Sequence, residues 1–516
     1  MGDAGHVSRR WSAADLIGML TDGGSFSVWD DDLVPSDPLR FTDVRPYAER
    51  LADARRDAPT TEAVVTGVGR LGGRHVVLVV GEFGFLAGTQ GVVVGERVTR
   101  AFDRAAVRGL PVVGLPTSGG TRMQEGALAF VQMLKVAAAV AAFRRSGNRY
   151  VAWLRNPTTG GVLASWASLA HVTWAQPGAL IGLTGPRVIA ALEGSPLPEH
   201  VQRAEHLHHR GVVDGVVPAE ELRPCLGRTL DAVGPSPPAL GDRMYIWPTD
   251  LAPAAPVGAG SARTDAWAAV TASRSGDRPG LPALLDIAAH DRVVLRGDDA
   301  GGRDDGCVTA VCTWHGTPVV VVGHDRPPDS RGAAVGDAGY RAARHAMRLA
   351  DELGLPIVTV VDTRGAASTA EAESGGLAAE IARCMATMST VEVPSVAVLL
   401  GEGSGGGAIA WLAADRVVAA ERAWLAPIAP EGASAILHRS TDRAADLART
   451  QAIDVDSLQW LGLVDEIVPE DDGWVTAIAD AVADQLRMLL AQPREERLAA
   501  RADRLRNVGT SAERAG

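Results

Sequence analysis

Lysine is almost missing from this sequence of 516 residues: Lys135 is the single lysine among 50 basic residues, and the others are arginine. A phosphate-binding loop of the Walker type needs its lysine directly after a glycine run. Lys135 stands in Gln-Met-Leu-Lys-Val, so that chemistry is excluded, and a Schiff-base, lipoyl or biotinyl lysine would have to be this same residue. Cysteine is also scarce. Cys225, Cys307, Cys312 and Cys384 are too few for a disulfide framework, and none form the C-x-x-C pair of a zinc site. His171, His324 and His438 are isolated, so no metal site is expected. An excess of positive charge is missing too. A net charge of −12 and a pI near 5.5 argue against a protein that binds nucleic acid through its phosphates. Apolar runs such as Val76–Val80 and Val396–Leu400 are of strand length, well short of the roughly 18–20 residues of a membrane span. The stretch Met1 to Gly24 is charged and lacks the apolar core of a signal peptide. The expectation is a soluble, cytoplasmic protein with neither nucleic-acid nor membrane partners.

What is present is enough for a large core: 46% of residues are hydrophobic and 22% charged. Length alone suggests about three domains, but internal self-similarity reduces these to two. Leu110-Pro-Val-Val followed by Gly119-Gly120 recurs as Leu355-Pro-Ile-Val followed by Gly365, an offset of 245 to 246 residues. Gly160-Gly161 recurs as Gly406-Gly407 at 246, and Gly211-Val-Val-Asp-Gly-Val-Val-Pro as Gly462-Leu-Val-Asp-Glu-Ile-Val-Pro at 251. The leading strands match as well, from Gly73 and from Gly316. One unit of about 200 residues is written twice, over residues 1–232 and 282–516. Residues 233–281 lie between them, and Pro235–Leu281 is rich in Pro, Gly, Ala and Ser, the composition of a linker.

Within each half, Val/Leu/Ile runs alternate with helical patterns. Val76–Val80, Val112–Leu115, Tyr150–Leu154 and His171–Trp174 are expected as strands buried on both faces, with Glu96–Arg108 and Leu128–Arg145 as helices. This alternation predicts an α/β fold with a mainly parallel sheet flanked by helices. After Gly473 an amphipathic helix is expected, ended or kinked by Pro493 and followed by a second short helix to about Leu505.

Each half carries two glycine-rich turns where a strand gives way to a helix. The first has Ser118-Gly119-Gly120-Thr121-Arg122 and Asn156-Pro-Thr-Thr-Gly160-Gly161; the second has Asp362-Thr-Arg364-Gly365 and Gly401-Glu-Gly-Ser-Gly405-Gly406-Gly407-Ala408. Glycine admits a ligand close to the backbone, and amides at a helix start are free to face negative charge. A pair of them forms an oxyanion hole. Two other motifs are weaker. Gly401-x-Gly403-x-x-Gly406 with Glu421 meets the formal dinucleotide fingerprint, but its counterpart around Gly160 does not. Gly67-x-Gly69-x-x-Gly72 opens no helix. Neither Ser118 nor Ser404 sits in the G-x-S-x-G of a serine hydrolase.

Longer motifs carry a resemblance. Thr117-Ser-Gly-Gly-Thr-Arg-Met-Gln-Glu-Gly, Asn156-Pro-Thr-Thr-Gly-Gly-Val, Gln176-Pro-Gly-Ala-Leu-Ile-Gly-Leu-Thr-Gly-Pro-Arg-Val and Leu197-Pro-Glu-His-Val-Gln-Arg-Ala-Glu resemble the β subunit of the bacterial acetyl-CoA carboxylase carboxyltransferase. Gly339-Tyr-Arg, Asp362-Thr-Arg-Gly-Ala, Gly401-Glu-Gly-Ser-Gly-Gly-Gly-Ala and Ile428-Ala-Pro-Glu-Gly-Ala-Ser-Ala-Ile-Leu resemble its α subunit. The resemblance implies a fused β–α carboxyltransferase with tandem crotonase-like (ClpP/crotonase) domains. It further implies carboxyl transfer from carboxybiotin to acetyl-CoA to give malonyl-CoA, as in fatty acid biosynthesis, in a subunit that itself uses no ATP. By motif match, the amides of Gly160 and Gly161 would face the thioester enolate, and those of Gly407 and Ala408 the biotin ureido oxygen. Gly88, Ser118, Gly119, Gly120, Arg122, Gly185 and Arg187 would bind CoA, and Arg364, Gly365 and Gly406 would lie on the biotin side. Lys135 lacks the Met-Lys-Met setting of a biotinylated lysine, so no cofactor is expected to be covalently bound. Carboxybiotin would arrive on a separate biotin carrier protein, charged by a biotin carboxylase. The family also implies a homodimer or larger assembly in which the acyl-CoA half of one protomer faces the biotin half of another.

The sequence departs from the family in four places. The four-cysteine zinc ribbon that usually precedes the β domain is absent; Arg364 replaces a usual proline; Leu377 and Ala379 replace usually polar residues; and Asn156 replaces a common aspartate. Two other readings stand beside this one: a malonyl-thioester decarboxylase that runs the same holes backwards, and a non-catalytic scaffold or regulatory paralogue whose degenerate α-like half only completes an assembly.

Overall fold

The computed structural model describes residues 10–234, 264–325 and 334–509. Its two halves repeat one strand order. In the first, Ser27–Trp29, Val64–Leu71 and Arg74–Gly81 pair antiparallel, and Val112–Leu115, Tyr150–Leu154, Val172–Ala175 and Gly215–Val216 then add in parallel. In the second, the antiparallel trio is Ala289–Leu295, Cys307–Trp314 and Thr317–His324. The parallel series is Ile357–Thr363, Ser395–Ser404, Arg416–Ala420 and Glu466–Val468. The register repeats as well: Val112 lies opposite Tyr150 in one sheet, and Ile357 opposite Ser395 in the other. The predicted strand–helix alternation and mainly parallel sheets are thus present. The central strands are buried along their whole length and largely apolar because both faces are covered, so no polar alternation is needed.

The helix Gly126–Arg145 holds the halves together. It packs on Val92–Arg108 in its own half, and on Leu377–Thr390 and Arg494–Asn507 in the other. Contrary to the strand-length apolar runs expected, the segment Met123–Arg145, much of it alanine, is long and apolar enough to cross a membrane by length and composition; nearly all of it is buried in the protein. The lone lysine lies inside this junction. Lys135 Nζ stands 2.6 Å from Glu96 Oε2, and Arg506 of the second half donates to the same carboxylate at 2.6 and 2.8 Å. Burial pushes the Lys135 ammonium down to about 8, against the pull of Glu96. Lys135 is therefore a buried link between the halves and not an exposed site of modification. Leu377 and Ala379 are buried in the same junction, which accounts for their apolar character.

The linker expectation changes at its C-terminal end. Residues 235–263 lie outside the described residues, but Ala266–Ser273 is a helix started by the Asp265 side chain, which accepts from the Ala268 amide. Its Ala266 and Val270 pack with Trp424, Ala426 and Ile453 of the second half. Near the C-terminus the two expected helices are Trp474–Ala491 and Arg494–Asn507, divided at Pro493.

Candidate active site

The first turn of each half has the same local design. The Ser118 hydroxyl accepts from the Gly120 amide at 2.9 Å, and Thr363 Oγ1 accepts from the Gly365 amide at 3.1 Å. Gly120 and Gly365 have φ of +118° and +135°, a region that only glycine occupies easily. The second turn repeats too. The helix Gly160–Leu163 opens with Gly160 at φ +62°, and Gly405–Ile409 opens with Gly405 at φ +68°. Neither Thr159 nor Ser404, the residues before these helices, makes a side-chain capping bond, so no capping side chain occupies the first-turn amides.

All four turns border one cavity of about 560 Å³ between the halves. From the first half come Gly119, Thr159, Gly160 and Gly161; from the second, Arg364, Gly365, Ser404, Gly405 and Gly406. Leu183 bridges the two sides. Its carbonyl accepts from the Gly160 amide at 3.0 Å, and its Cδ1 would lie 3.5 Å from a Cβ built on Gly406. The family implies facing halves from different protomers; here the two turns of a single chain already face each other.

Several expected site residues take other places. The Gly160 amide is engaged by the Leu183 carbonyl, which leaves Gly161 as the first-turn donor on that side. On the other side the register falls one residue earlier than sequence spacing implies, because Gly405, and not Gly406, shares the conformation of Gly160. Gly405 and Gly406 therefore border the cavity, while Gly407 and Ala408 are buried behind them; a Cβ on Gly407 would meet Tyr340 Oη at 2.5 Å.

Arg122 is a correction. It is fully buried, with Nη1 and Nη2 on Glu62 at 2.9 and 2.5 Å and Nη1 on Glu125 at 3.1 Å. Burial works against its charge, but Glu62, Tyr47 and Glu125 outweigh that and hold it well above the usual arginine value. It cannot also reach a CoA phosphate. Ser118 and Gly88 are likewise buried scaffold: the first pins Gly120, and the second stands at φ +67° where a Cβ would strike the Thr117 carbonyl. Gly185 does border the cavity, and Arg187, two residues on, is exposed at the start of the helix Pro186–Glu193.

The formal dinucleotide glycines have plain structural reasons. Gly401 and Gly403 lie within the strand Ser395–Ser404, where a Cβ would meet Asp362 Oδ1 at 2.6 Å and the Trp424 carbonyl at 2.4 Å. Gly72 and Gly73 form the hairpin turn between Val64–Leu71 and Arg74–Gly81. Among the described residues no group of three or more His, Cys, Asp or Glu is placed to hold a metal ion.

Sequence reasoning missed Glu373, Ala87 and Arg50. Glu373, from the second half, accepts from the amides of Leu183 at 3.0 and 3.1 Å and of Thr184 at 3.2 Å, so it holds the loop that engages Gly160. Burial raises its carboxyl above the ordinary range, partly offset by those amides. Ala87, left-handed at φ +56°, presents its carbonyl to the Gly119 amide at 2.9 Å. Arg50, at the cavity edge, pairs with Asp43 at 2.6 Å. No motif marks any of them, and Glu373 and Ala87 act through neighbours distant in sequence.

Two tandem hairpin-plus-parallel sheets each present a glycine-opened helix to a shared cavity. Comparisons with known proteins show which family has this doubled arrangement. Residues 28–242 match the family described as carboxyl transferase domain, and residues 261–509 match acetyl co-enzyme A carboxylase carboxyltransferase-like. The chain is 46% identical over 497 residues to a probable biotin-dependent acyl-coenzyme A carboxylase beta3 subunit of Mycobacterium tuberculosis, covering 95% of this chain and 97% of that one. It is 39% identical over 518 residues to the acetyl-coenzyme A carboxylase carboxyl transferase subunits beta/alpha of Salinispora arenicola, covering 97% and 91%. Among solved structures, transcarboxylase 12S is similar at 20% identity and a TM-score of 0.37, covering 94% of this chain and 91% of that chain. The chain belongs to the carboxyltransferase subunits of the biotin-dependent acyl-CoA carboxylases.

Proposed function

We propose that this chain transfers the carboxyl group of carboxybiotin, delivered on a separate carrier protein, to acetyl-CoA, giving malonyl-CoA for fatty acid synthesis in the cytoplasm. The observation that carries the reading is the pair of uncapped, glycine-opened helix starts on opposite sides of one cavity. Release of CO2 from carboxybiotin leaves negative charge on the ureido oxygen, and the first-turn amides around Gly406 suit that charge. The biotin nitrogen then removes a methyl proton from the acetyl thioester. The enolate oxygen that forms is suited to the Gly161 amide, and the enolate carbon attacks CO2. Fixed amides of this kind need no reorganisation as charge develops. No side-chain base is required. CoA would enter past Gly119 and Gly185, with Arg187 the arginine available for its phosphates. The ATP-dependent loading of biotin falls to a biotin carboxylase partner. A homo-oligomer belongs to the proposal, although a second copy is not needed to bring the two turns together.

The test is to incubate the pure full chain with malonyl-CoA, with and without free biotin. Biotin-dependent formation of acetyl-CoA is the expected result. Loss of CO2 without biotin would indicate the decarboxylase instead. No turnover even with a biotinylated carrier would leave a scaffold.

A further inference from the structure

The matched turns Ser118–Gly120 and Thr363–Gly365 differ at their middle residue. The first half has Gly119, with no side chain; the second has Arg364, and both border the shared cavity. Arg364 is 53% exposed, and its only hydrogen bond to a described residue runs from Nε to Glu402 Oε2 at 3.3 Å. Glu402 is buried and is also gripped by Arg274, whose Nη1 and Nη2 close on Glu431 at 2.6 and 3.2 Å. Glu402 thus orients the arginine from behind while its charge is shared with a second guanidinium. Both Nη groups of Arg364 are left without an acceptor among the described residues. Among the described residues, the charged side chains that border the cavity, Arg364 and Arg50, are both cations.

We propose that Arg364 binds a carboxylate within the cavity and so sets which acyl-CoA species the site favours. A planar guanidinium with two unclaimed Nη groups matches a carboxylate in two-point geometry, as a lysine cannot. That carboxylate has two possible sources: the carboxyl group being transferred, or one borne at the far end of the acyl chain. The proposal rests on the carboxyl-transfer reading above, so its test measures binding apart from turnover.

Binding of acetyl-CoA, malonyl-CoA and glutaryl-CoA to the full chain would be compared by titration calorimetry for the parent, Arg364→Met and Arg364→Lys. Arg364→Met is expected to weaken at least one of the two carboxylate-bearing ligands about 10-fold, the size of a lost charged hydrogen bond, and to leave acetyl-CoA unchanged. A loss confined to malonyl-CoA assigns Arg364 to the transferred carboxyl group, and a loss confined to glutaryl-CoA assigns it to a chain carboxylate. Loss of both supports general carboxylate binding. Arg364→Lys should recover part of the loss. Equal effects on all three ligands, or none, would overturn the proposal. If the parent binds malonyl-CoA but never turns it over with biotin, it is the functional reading that fails, and the role of Arg364 is still read from the affinities.

Discussion

The two halves share a fold, a strand order and a hydroxyl-pinned turn, yet their arginines do opposite work. Arg122 follows the first turn and is sealed among Glu62, Glu125 and Tyr47, where it fixes the backbone that carries Gly119 and Gly120. Arg364 sits inside the second turn and stands half in solvent, with one contact to Glu402. A duplicated fold preserves the backbone device, because strand register and positive φ fix it. Side chains are free to diverge, since each answers only to its own surroundings.

The sharpest way to break this contrast is to neutralise each arginine. Arg122→Met leaves Glu62 charged, buried and without its main partner, and should cost about 3–5 kcal/mol of stability. Arg364→Met removes a single half-exposed contact and should cost about 0–1 kcal/mol. Urea unfolding of both variants checks this; equal losses would mean that Arg122 is not structural.

The next contrast lies between the glycines at the helix starts. A Cβ on Gly161 would meet Thr121 Oγ1 at 2.7 Å, whereas the nearest atom to one on Gly406 is 3.5 Å away. Gly406→Val should therefore fold normally while crowding the cavity, lowering carboxyl transfer by roughly 10²–10³-fold, the scale of a lost oxyanion donor. Gly161→Val should lose stability as well as rate. Malonyl-CoA-dependent assays beside melting curves distinguish the two, and full activity in Gly406→Val would remove that turn from the chemistry.

The smallest effect concerns Glu373, by which the second half grips the first. Glu373→Ala leaves the Leu183 and Thr184 amides without their carboxylate partner and loosens the loop on which Gly160 depends. A drop in kcat of about 10-fold is expected at little change in KM for the thioester, in line with the ~1–3 kcal/mol of an unsatisfied buried group. Glu373→Gln should retain part of the rate through its remaining acceptor oxygen. An unchanged kcat in Glu373→Ala would show that the halves position their turns independently.

Much of this was legible in the chain. The offsets near 245 residues revealed the duplication, and the apolar runs of Val112–Leu115 and Tyr150–Leu154 located the central strands. The glycine turns identified the cavity walls, because positive φ at Gly120, Gly160 and Gly365 leaves a trace in residue type. Arg122 was misread because an arginine beside a glycine turn looks alike in sequence whether it faces phosphate or two buried carboxylates. Glu62, which decides between them, lies 60 residues away. The one-residue shift from Gly406 to Gly405 escaped for a related reason: a run of three glycines aligns equally well in two registers, and only the backbone angle separates them.

By itself, then, the sequence determined the doubled α/β architecture, the family and the glycine turns, all of them local or periodic properties. It also showed that the single lysine lacks the setting of a biotin anchor. Tertiary structure decided what no local pattern carries: that Lys135 and Glu96 meet Arg506 in the junction between the halves, that Glu373 reaches across to Leu183, and that both turns open on one cavity. Each of these joins residues far apart in the chain, and the energy of a buried ion pair or amide depends on what surrounds it in space.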